Sequence, residues 1–440
     1  MNIKFVSGML AIVMLSGCLT GCGQKEVVNE EIPEQIETNQ TIELPTIETP
    51  ELKNEYVVDN NTSSIVDEIK QENSTIKLSR VDAYDGITYY YDQLNKTDKD
   101  YYLKIKEILK NGEGTLLFPY NGNFEEFWNH FIKIYDFVKC DNPHLIFQAE
   151  DILLNGKSIK NMTWLDNPDF GEIVEVQLIF HNYWDEYARA EAVEELKVRT
   201  NEILKELDKI ESDYYKIIWL YNILVREIEY EHGYPWSYSA YGAIVMGQAS
   251  CEGISEAFSY LLNLSGIESM GVTGTSENQG HRWSMVKLDE EWYHFDTTWD
   301  IDKPMQFFLP YTYFAVTEKD IESMHLLDYP DNIPKATATK YNFYKHNDLV
   351  AKKFTRDEMA RIAKKSYELN PGYITIRFEN EDDFYAAITQ PEVDQWVPYV
   401  IQALKLSKWQ YLVFPNEELL VVEVALFDEV VTLRDLGLEE

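Results

Sequence analysis

Cys251, His281 and Asp296 follow one another within a single stretch of this 440-residue chain, and together they can perform one kind of chemistry. A thiol becomes a nucleophile when it loses its proton, an imidazole can take that proton, and a carboxylate can orient the ring and favour its charged form. Ser250 is placed to cap a helix running to about Leu264, with Gly266 suited to end it. Cys251 then lies in the first helical turn, where the helix dipole and free backbone N–H groups favour thiolate. The same N–H groups can hold the oxyanion formed when a thiolate attacks a carbonyl. Taken alone, a cysteine is more often a small buried hydrophobe than a nucleophile, so its partners decide the reading.

The elements around these residues must bring them together. Ile254, Ala257, Phe258, Leu261 and Leu262 form the buried side of the Cys251 helix, and Cys251 falls on that side. Met270 to Thr275 is predicted as a strand, Ser276 to Gly280 as a polar loop, and His281 to Leu288 and Trp292 to Thr297 as strands around Asp289-Glu290. If only Asp289 and Glu290 form the loop, Leu288 pairs with Glu291 and Trp283 faces Asp296. His281 and Asp296 are then diagonal neighbours on one face, about 7–8 Å apart at Cβ or closer. A three-residue loop would put them on opposite faces. His294 is the rival base, because it shares a face with Asp296 in either register. Gln248 and Tyr241 are candidates for a side-chain oxyanion donor, each equally readable as a loop residue packed under the helix. Trp283 is expected to wall the site.

Four linked runs carry a resemblance. Tyr241-Gly242-Ala243, Gln248-Ala249-Ser250-Cys251-Glu252-Gly253, Gly280-His281-Arg282-Trp283 and Trp292-Tyr293-His294-Phe295-Asp296-Thr297-Thr298-Trp299-Asp300 closely resemble the transglutaminase-like superfamily, and Tyr313-Phe314 and His325 are similar to the tail of its bacterial members. The resemblance covers roughly residues 205–335. It implies an α+β, papain-like core with the cysteine helix packed on an antiparallel sheet, and it implies Cys251, His281 and Asp296 as the triad. Arg282 stands where family members usually carry a small residue, and Ser284 where Asn is common; either departure can reshape the cleft.

The expected reaction is acyl transfer through a thioester on Cys251. Peptide or amide hydrolysis is favoured over glutamine–amine cross-linking, because no carboxylate run resembles the calcium sites of animal transglutaminases. The alternatives are a protein-glutamine transglutaminase and an inactive surface binding protein on the same fold. The formal charge of −37 disfavours nucleic acid as a partner. The eight histidines are scattered without a ligand pair at helical spacing, so neither a metal nor a cofactor is expected.

The remaining sequence organises the chain. Lys4 and the apolar run Phe5 to Leu15 form a short signal-like head, too short to span a bilayer. The runs ending at Cys18 and Cys22 each resemble the lipobox of bacterial lipoproteins. Cys22 is the preferred lipidation site because polar sequence follows it, with Cys18 the alternative, so residues 1–22 are expected as a lipoprotein signal peptide on a chain anchored outside the cytoplasm. Residues 23–75 are Glu-rich, carry Pro33, Pro45 and Pro50 and show no helical period; they are expected as a disordered acidic tether. An N-terminal α+β domain is expected over 76–200, with helices from Thr97 to Lys110, Thr97 as its cap, and from Phe124 to Val138, and a strand from Ile173 to Phe180. The catalytic domain is assigned to 201–345. A C-terminal α+β domain over 346–440 ends in two strands about a turn at Pro415-Asn416-Glu417-Glu418. Peptide or protein, including cell-wall or surface protein, is the expected substrate.

Overall fold

The computed structural model describes residues 12–14, 79–161, 170–180, 186–301, 310–406 and 410–427. Cys18, Cys22 and the tether over 23–75 lie outside the described residues. These residues divide into two compact units, 79–346 and 347–427 with the strand Ile12–Met14. The fold is mixed α+β, with antiparallel sheets covered by helices.

After a short helical turn at Tyr89–Gln93, the first unit continues with helix α1 (Lys96–Asn111). Its cap is Asn95, not Thr97: the Asn95 side chain accepts from the backbone N–H groups of Thr97 and Asp98, which asparagine can do from an extended cap conformation. Strand β1 (Gly114–Pro119) leads to helix α2 (Phe124–Asp141). Strands β2 (Ala149–Leu154) and β3 (Ile173–Phe180) are the inner strands of a small antiparallel sheet, with β1 and the short strand Lys157–Ser158 at its edges. Val174, Val176 and Leu178 turn inward from β3 while Glu175 and Gln177 face out, as the two-residue period requires. Helices α3 (Glu186–Leu207) and α4 (Asp213–Glu227) follow. The unit runs across the boundary expected near residue 200, because α2 packs on a strand of the following sheet.

That following sheet positions the chemistry. Helix α5 (Cys251–Leu264) lies on strands β4 (Ser269–Ser276) and β5 (Gln279–Leu288). Strand β6 (Glu291–Phe295), the short helix α6 (Thr297–Ile301) and strand β7 (His325–Leu327) complete it, in the sheet order β6-β5-β4-β7. Ile254, Ala257, Phe258, Leu261 and Leu262 are all buried, so the apolar stripe of α5 meets the sheet. Gly266 ends the helix with φ +82°, the left-handed conformation that glycine adopts without a Cβ penalty.

Two expectations about this sheet need correcting. The polar loop expected over Ser276 to Gly280 shrinks to Glu277 and Asn278, both at positive φ, and the strands continue to Ser276 and from Gln279. Strand β6 ends at Phe295 instead of Thr297 because the Asp296 carboxylate accepts from the Trp299 N–H, 3.2 Å away, and caps helix α6. The hairpin at Asp289-Glu290 has the two-residue loop: Leu288 pairs with Glu291 and Ser284 with Phe295.

The second unit holds helix α7 (Arg356–Leu369), strand β8 (Tyr373–Phe378), helices α8 (Glu381–Ile388) and α9 (Gln390–Ala403), and strands β9 (Gln410–Asn416) and β10 (Val421–Phe427). The last two pair through Asn416 and Val421. The turn therefore lies two residues beyond the expected start, and Pro415 and Asn416 sit in the ladder: a proline can end a strand where its missing N–H is not needed.

Candidate active site

The hairpin register carries His281 to Asp296. Extending the β5–β6 pairing by one residue sets Asp296 opposite Trp283 and diagonal to His281. The His281 Nε2 lies 2.7 Å from Asp296 Oδ2. Asp296 is buried, yet His281 and His325 hold its pKa well below the usual carboxylate range despite that burial. An ionised carboxylate can only accept, so His281 donates through Nε2. Its Nδ1 is then the nitrogen left to meet a nucleophile.

The candidate nucleophile is the Cys251 thiol, half-buried at the start of α5 and near enough to the His281 ring to act on its charge. Burial opposes charge on His281; the Asp296 carboxylate and the Cys251 contact outweigh it and raise the ring to about 10. The imidazole is therefore held in its protonated form beside the thiol, the state that stabilises thiolate. The start of α5 is fixed by close backbone approach. A Cβ on Gly253 would stand 2.4 Å from the Ser237 carbonyl and 2.7 Å from that of Ser239, so only glycine fits the second turn position behind the cysteine. Ser250 occupies the cap position, but its hydroxyl donates to the Ser237 carbonyl (3.2 Å) instead of capping its own helix.

The other predicted residues fall as follows. His294 is fully buried and accepts from the Trp283 indole N–H at 3.0 Å. Burial, with His325 second, lowers it to about 3, so it is a neutral core imidazole facing Trp283 and not the rival base. Trp283 is 1 % exposed and stacks its ring near His281, centroids 5.8 Å apart; it backs the imidazole. The Gln248 amide donates to Glu229 at 3.1 Å, and the Tyr241 hydroxyl donates to Glu195 at 2.7 Å. Both oxyanion candidates are thus engaged with carboxylates. The first-turn N–H groups of α5 have no acceptor within their own helix and lie at the end of the helix that carries Cys251.

Sequence reading gave two further residues no role. His325 Nε2 donates to the same Asp296 oxygen at 2.8 Å; its ring is buried within ring-contact distance of Trp283, Trp299 and His281. It arrives on β7, which pairs with β4 by placing His325 opposite Ser276. Gly274 permits this approach, since a Cβ there would meet the Leu326 carbonyl at 2.3 Å and the Trp283 ring at 2.8 Å. Tyr238 is the other: burial and then the charges of Glu252 and Cys251 raise its pKa, so its hydroxyl lies in the field of the nucleophile while donating to the His232 carbonyl at 2.8 Å. A pairing partner on a distant strand has no local sequence signal; the run Tyr234-Pro235-Trp236-Ser237-Tyr238 has an aromatic one.

His281, Asp296 and His325 also place potential metal-ligand atoms within 4.8 Å of one another, a cluster that helical spacing could not reveal. The 2.7 and 2.8 Å separations are hydrogen-bond lengths, and one carboxylate oxygen already serves both rings.

Residues 201–297 match the family model of the transglutaminase-like superfamily, and this part of the chain is transglutaminase-like. Among solved structures, the chain is similar to one described as a TGase, with 13 % identity over 46 % of this chain and 57 % of that one at a TM-score of 0.23. It is also similar to a candidate cysteine protease from Cytophaga hutchinsonii, with 13 % identity over 42 % of this chain and 64 % of that one at a TM-score of 0.22. The chain thus spans less than two thirds of the length of either. No curated protein matches it.

Proposed function

We propose that this transglutaminase-like chain is a thiol enzyme that hydrolyses peptide or amide bonds through an acyl-thioester on Cys251. The observation that carries the reading is the His281 ring hydrogen-bonded to the Asp296 carboxylate at 2.7 Å, with Cys251 half-buried at the start of α5 and acting on the charge of that ring. In this reading the thiol proton already rests on His281 Nδ1, and the thiolate sulfur bonds to the substrate carbonyl carbon. The N–H groups at the start of α5 hold the resulting oxyanion. The C–N bond breaks as His281 returns its proton to the leaving amine. Water, deprotonated by the same imidazole, then cleaves the thioester and regenerates the thiol. Asp296 keeps the ring in the one tautomer that can do this. The lipobox-like runs at Cys18 and Cys22 support an exported enzyme, tethered to the outer face of the membrane through Cys22 and acting on cell-wall or surface protein.

The test is alkylation of the full chain by iodoacetamide, with the modified residue located by mass spectrometry. Cys251 should label faster than a free thiol and keep labelling well below the free-thiol pKa of about 8.5, and His281→Ala should abolish that advantage. Labelling at a free-thiol rate, indifferent to His281→Ala, overturns the reading. Adding a primary amine to a peptide-cleavage assay separates hydrolysis, which leaves the amine free, from cross-linking, which consumes it. Cys22→Ser should release the protein from the membrane fraction; continued membrane retention would move the anchor to Cys18 or remove it.

A further inference from the structure

The two residues that follow the proposed nucleophile and base are themselves joined. Arg282 follows His281 on β5, and Glu252 follows Cys251 on α5; the Arg282 Nη1 donates to Glu252 Oε1 at 2.7 Å and to Glu256 Oε1 at 3.2 Å. Helix α2 supplies a second cation beneath them: Lys139 Nζ lies 3.0 Å from Glu256 Oε1 and 3.8 Å from Glu252 Oε1. Asp136, also on α2, stands 3.8 Å from Arg282 and accepts from the Tyr329 hydroxyl at 2.9 Å. The Lys139 side chain is wholly buried and that of Arg282 is 7 % exposed. Buried cations persist only when paired, and removing one partner of such a pair is costly.

The geometry does more than satisfy charge. Consecutive residues of a strand point to opposite faces: His281 turns to Asp296, and Arg282 turns to Glu252 and Glu256 on α5. Arg282 therefore holds two carboxylates one turn apart on α5, which fixes the rotation of its first turn about the helix axis. Glu252 adjoins Cys251 in the first turn of α5, and the guanidinium neutralises its charge there. Lys139 and Asp136 lie outside residues 201–297 altogether.

We infer that Arg282 is a positioning residue for Cys251, clasping the Glu252 carboxylate so that the thiol is held against His281, and that α2 completes the clasp through Lys139. The inference rests on the proposed thiol chemistry and gives the segment before residue 200 a role in it: without α2 the nucleophile helix carries one buried and one part-buried carboxylate against a single cation.

The experiment measures the second-order rate of Cys251 alkylation across pH in the full chain, together with thermal unfolding. Arg282→Met should lower the rate below neutral pH about tenfold to hundredfold, the size expected for a displaced reacting group. It should also move the acid limb of the profile to higher pH, because the Glu252 charge is unmasked. Arg282→Lys should return the limb, since charge is restored, but not the full rate, since one ammonium cannot serve two carboxylates as a guanidinium fork does. Combining Arg282→Met with Glu252→Gln should also return the limb. If Arg282→Met does not fold, Glu252→Gln alone leaves Arg282 held by Glu256 and should still slow alkylation about tenfold. A folded Arg282→Met, or failing that a Glu252→Gln, with the wild-type rate and limb overturns the inference while the thiol reading stands. A wild-type Cys251 that reacts as a free thiol overturns both.

Discussion

Asp296 receives three N–H donors: His281 and His325 on Oδ2, and the Trp299 backbone on Oδ1. A carboxylate so engaged cannot rotate, and its proton affinity is too low to take the His281 proton, so the charge stays on the imidazole. Asp296→Asn would face two N–H donors with an amide that can accept at only one end. We expect it to fold and to lose activity on the order of a thousandfold or more; an Asn variant within tenfold of wild type would remove Asp296 from the mechanism. The alkaline side of the pH profile follows from His281. Its ordinary value of 6.5 is raised to about 10, so the protonated partner of the thiolate persists through neutral pH and is lost only as pH rises through the higher value. An alkylation or cleavage profile that collapses near 6.5 would contradict the pairing.

At the scale of elements, the β5–β6 hairpin decides whether a triad can exist. Asp289 and Glu290 take φ values of 49° and 65°, the pair of left-handed residues that matches the twist of a two-residue hairpin. Asp289 is tied down by Lys340 and by the Tyr341 hydroxyl, whereas Glu290 is 89 % exposed and makes a surface ion pair with Lys287. Such a pair contributes little, while a non-glycine residue in the left-handed region is penalised. Glu290→Gly should therefore stabilise the protein by about 0.5–1 kcal/mol, read from chemical denaturation. Inserting a glycine between Asp289 and Glu290 should leave a folded sheet and abolish rapid Cys251 alkylation, because a one-residue slip turns Asp296 to the opposite face; retention of the rapid rate would contradict the register argument.

For the whole molecule, burial of charge under α5 sets the response to pH. Burial, before any neighbour, pushes Glu256 up to about 8 and Asp136 up to about 7. Both are raised above their unfolded values of 4.5 and 3.8, so the stability they contribute is fully present below those values and is lost as pH climbs through 7 to 8. His281, raised from 6.5 to about 10, adds a loss in the same direction above 6.5. His144 and His294, both lowered to about 3 by burial, lose stability only as pH falls below 6.5 and change nothing above it. Resistance to urea should accordingly decline from pH 6.5 to pH 8, and Glu256→Gln should flatten that decline. Equal or greater resistance at the higher pH would show that these carboxylates ionise freely in the fold. The second unit, with Val393, Trp396, Val397 and Val400 buried along α9, carries its own core.

Local patterns were enough for the elements and for the order of the chemistry. The stripe of Ile254, Ala257, Phe258, Leu261 and Leu262 announced α5, the alternation from Ile173 to Phe180 announced β3, and the spacing across Asp289-Glu290 placed His281 and Asp296 on one face if the loop held two residues. These are short-range properties, written in periods of 3.6 and 2 that a sequence displays directly. The limits of strands were less legible where a side chain competed for the backbone, as Asp296 does in ending β6 to cap α6. What only the tertiary structure decided is which distant groups converge. His325 on the Asp296 carboxylate, Lys139 and Asp136 beneath α5, and the engagement of Gln248 and Tyr241 with Glu229 and Glu195 all depend on contacts between elements far apart in the chain. No period encodes such a contact; it is fixed when hydrophobic faces pack and the buried charges they enclose must find partners.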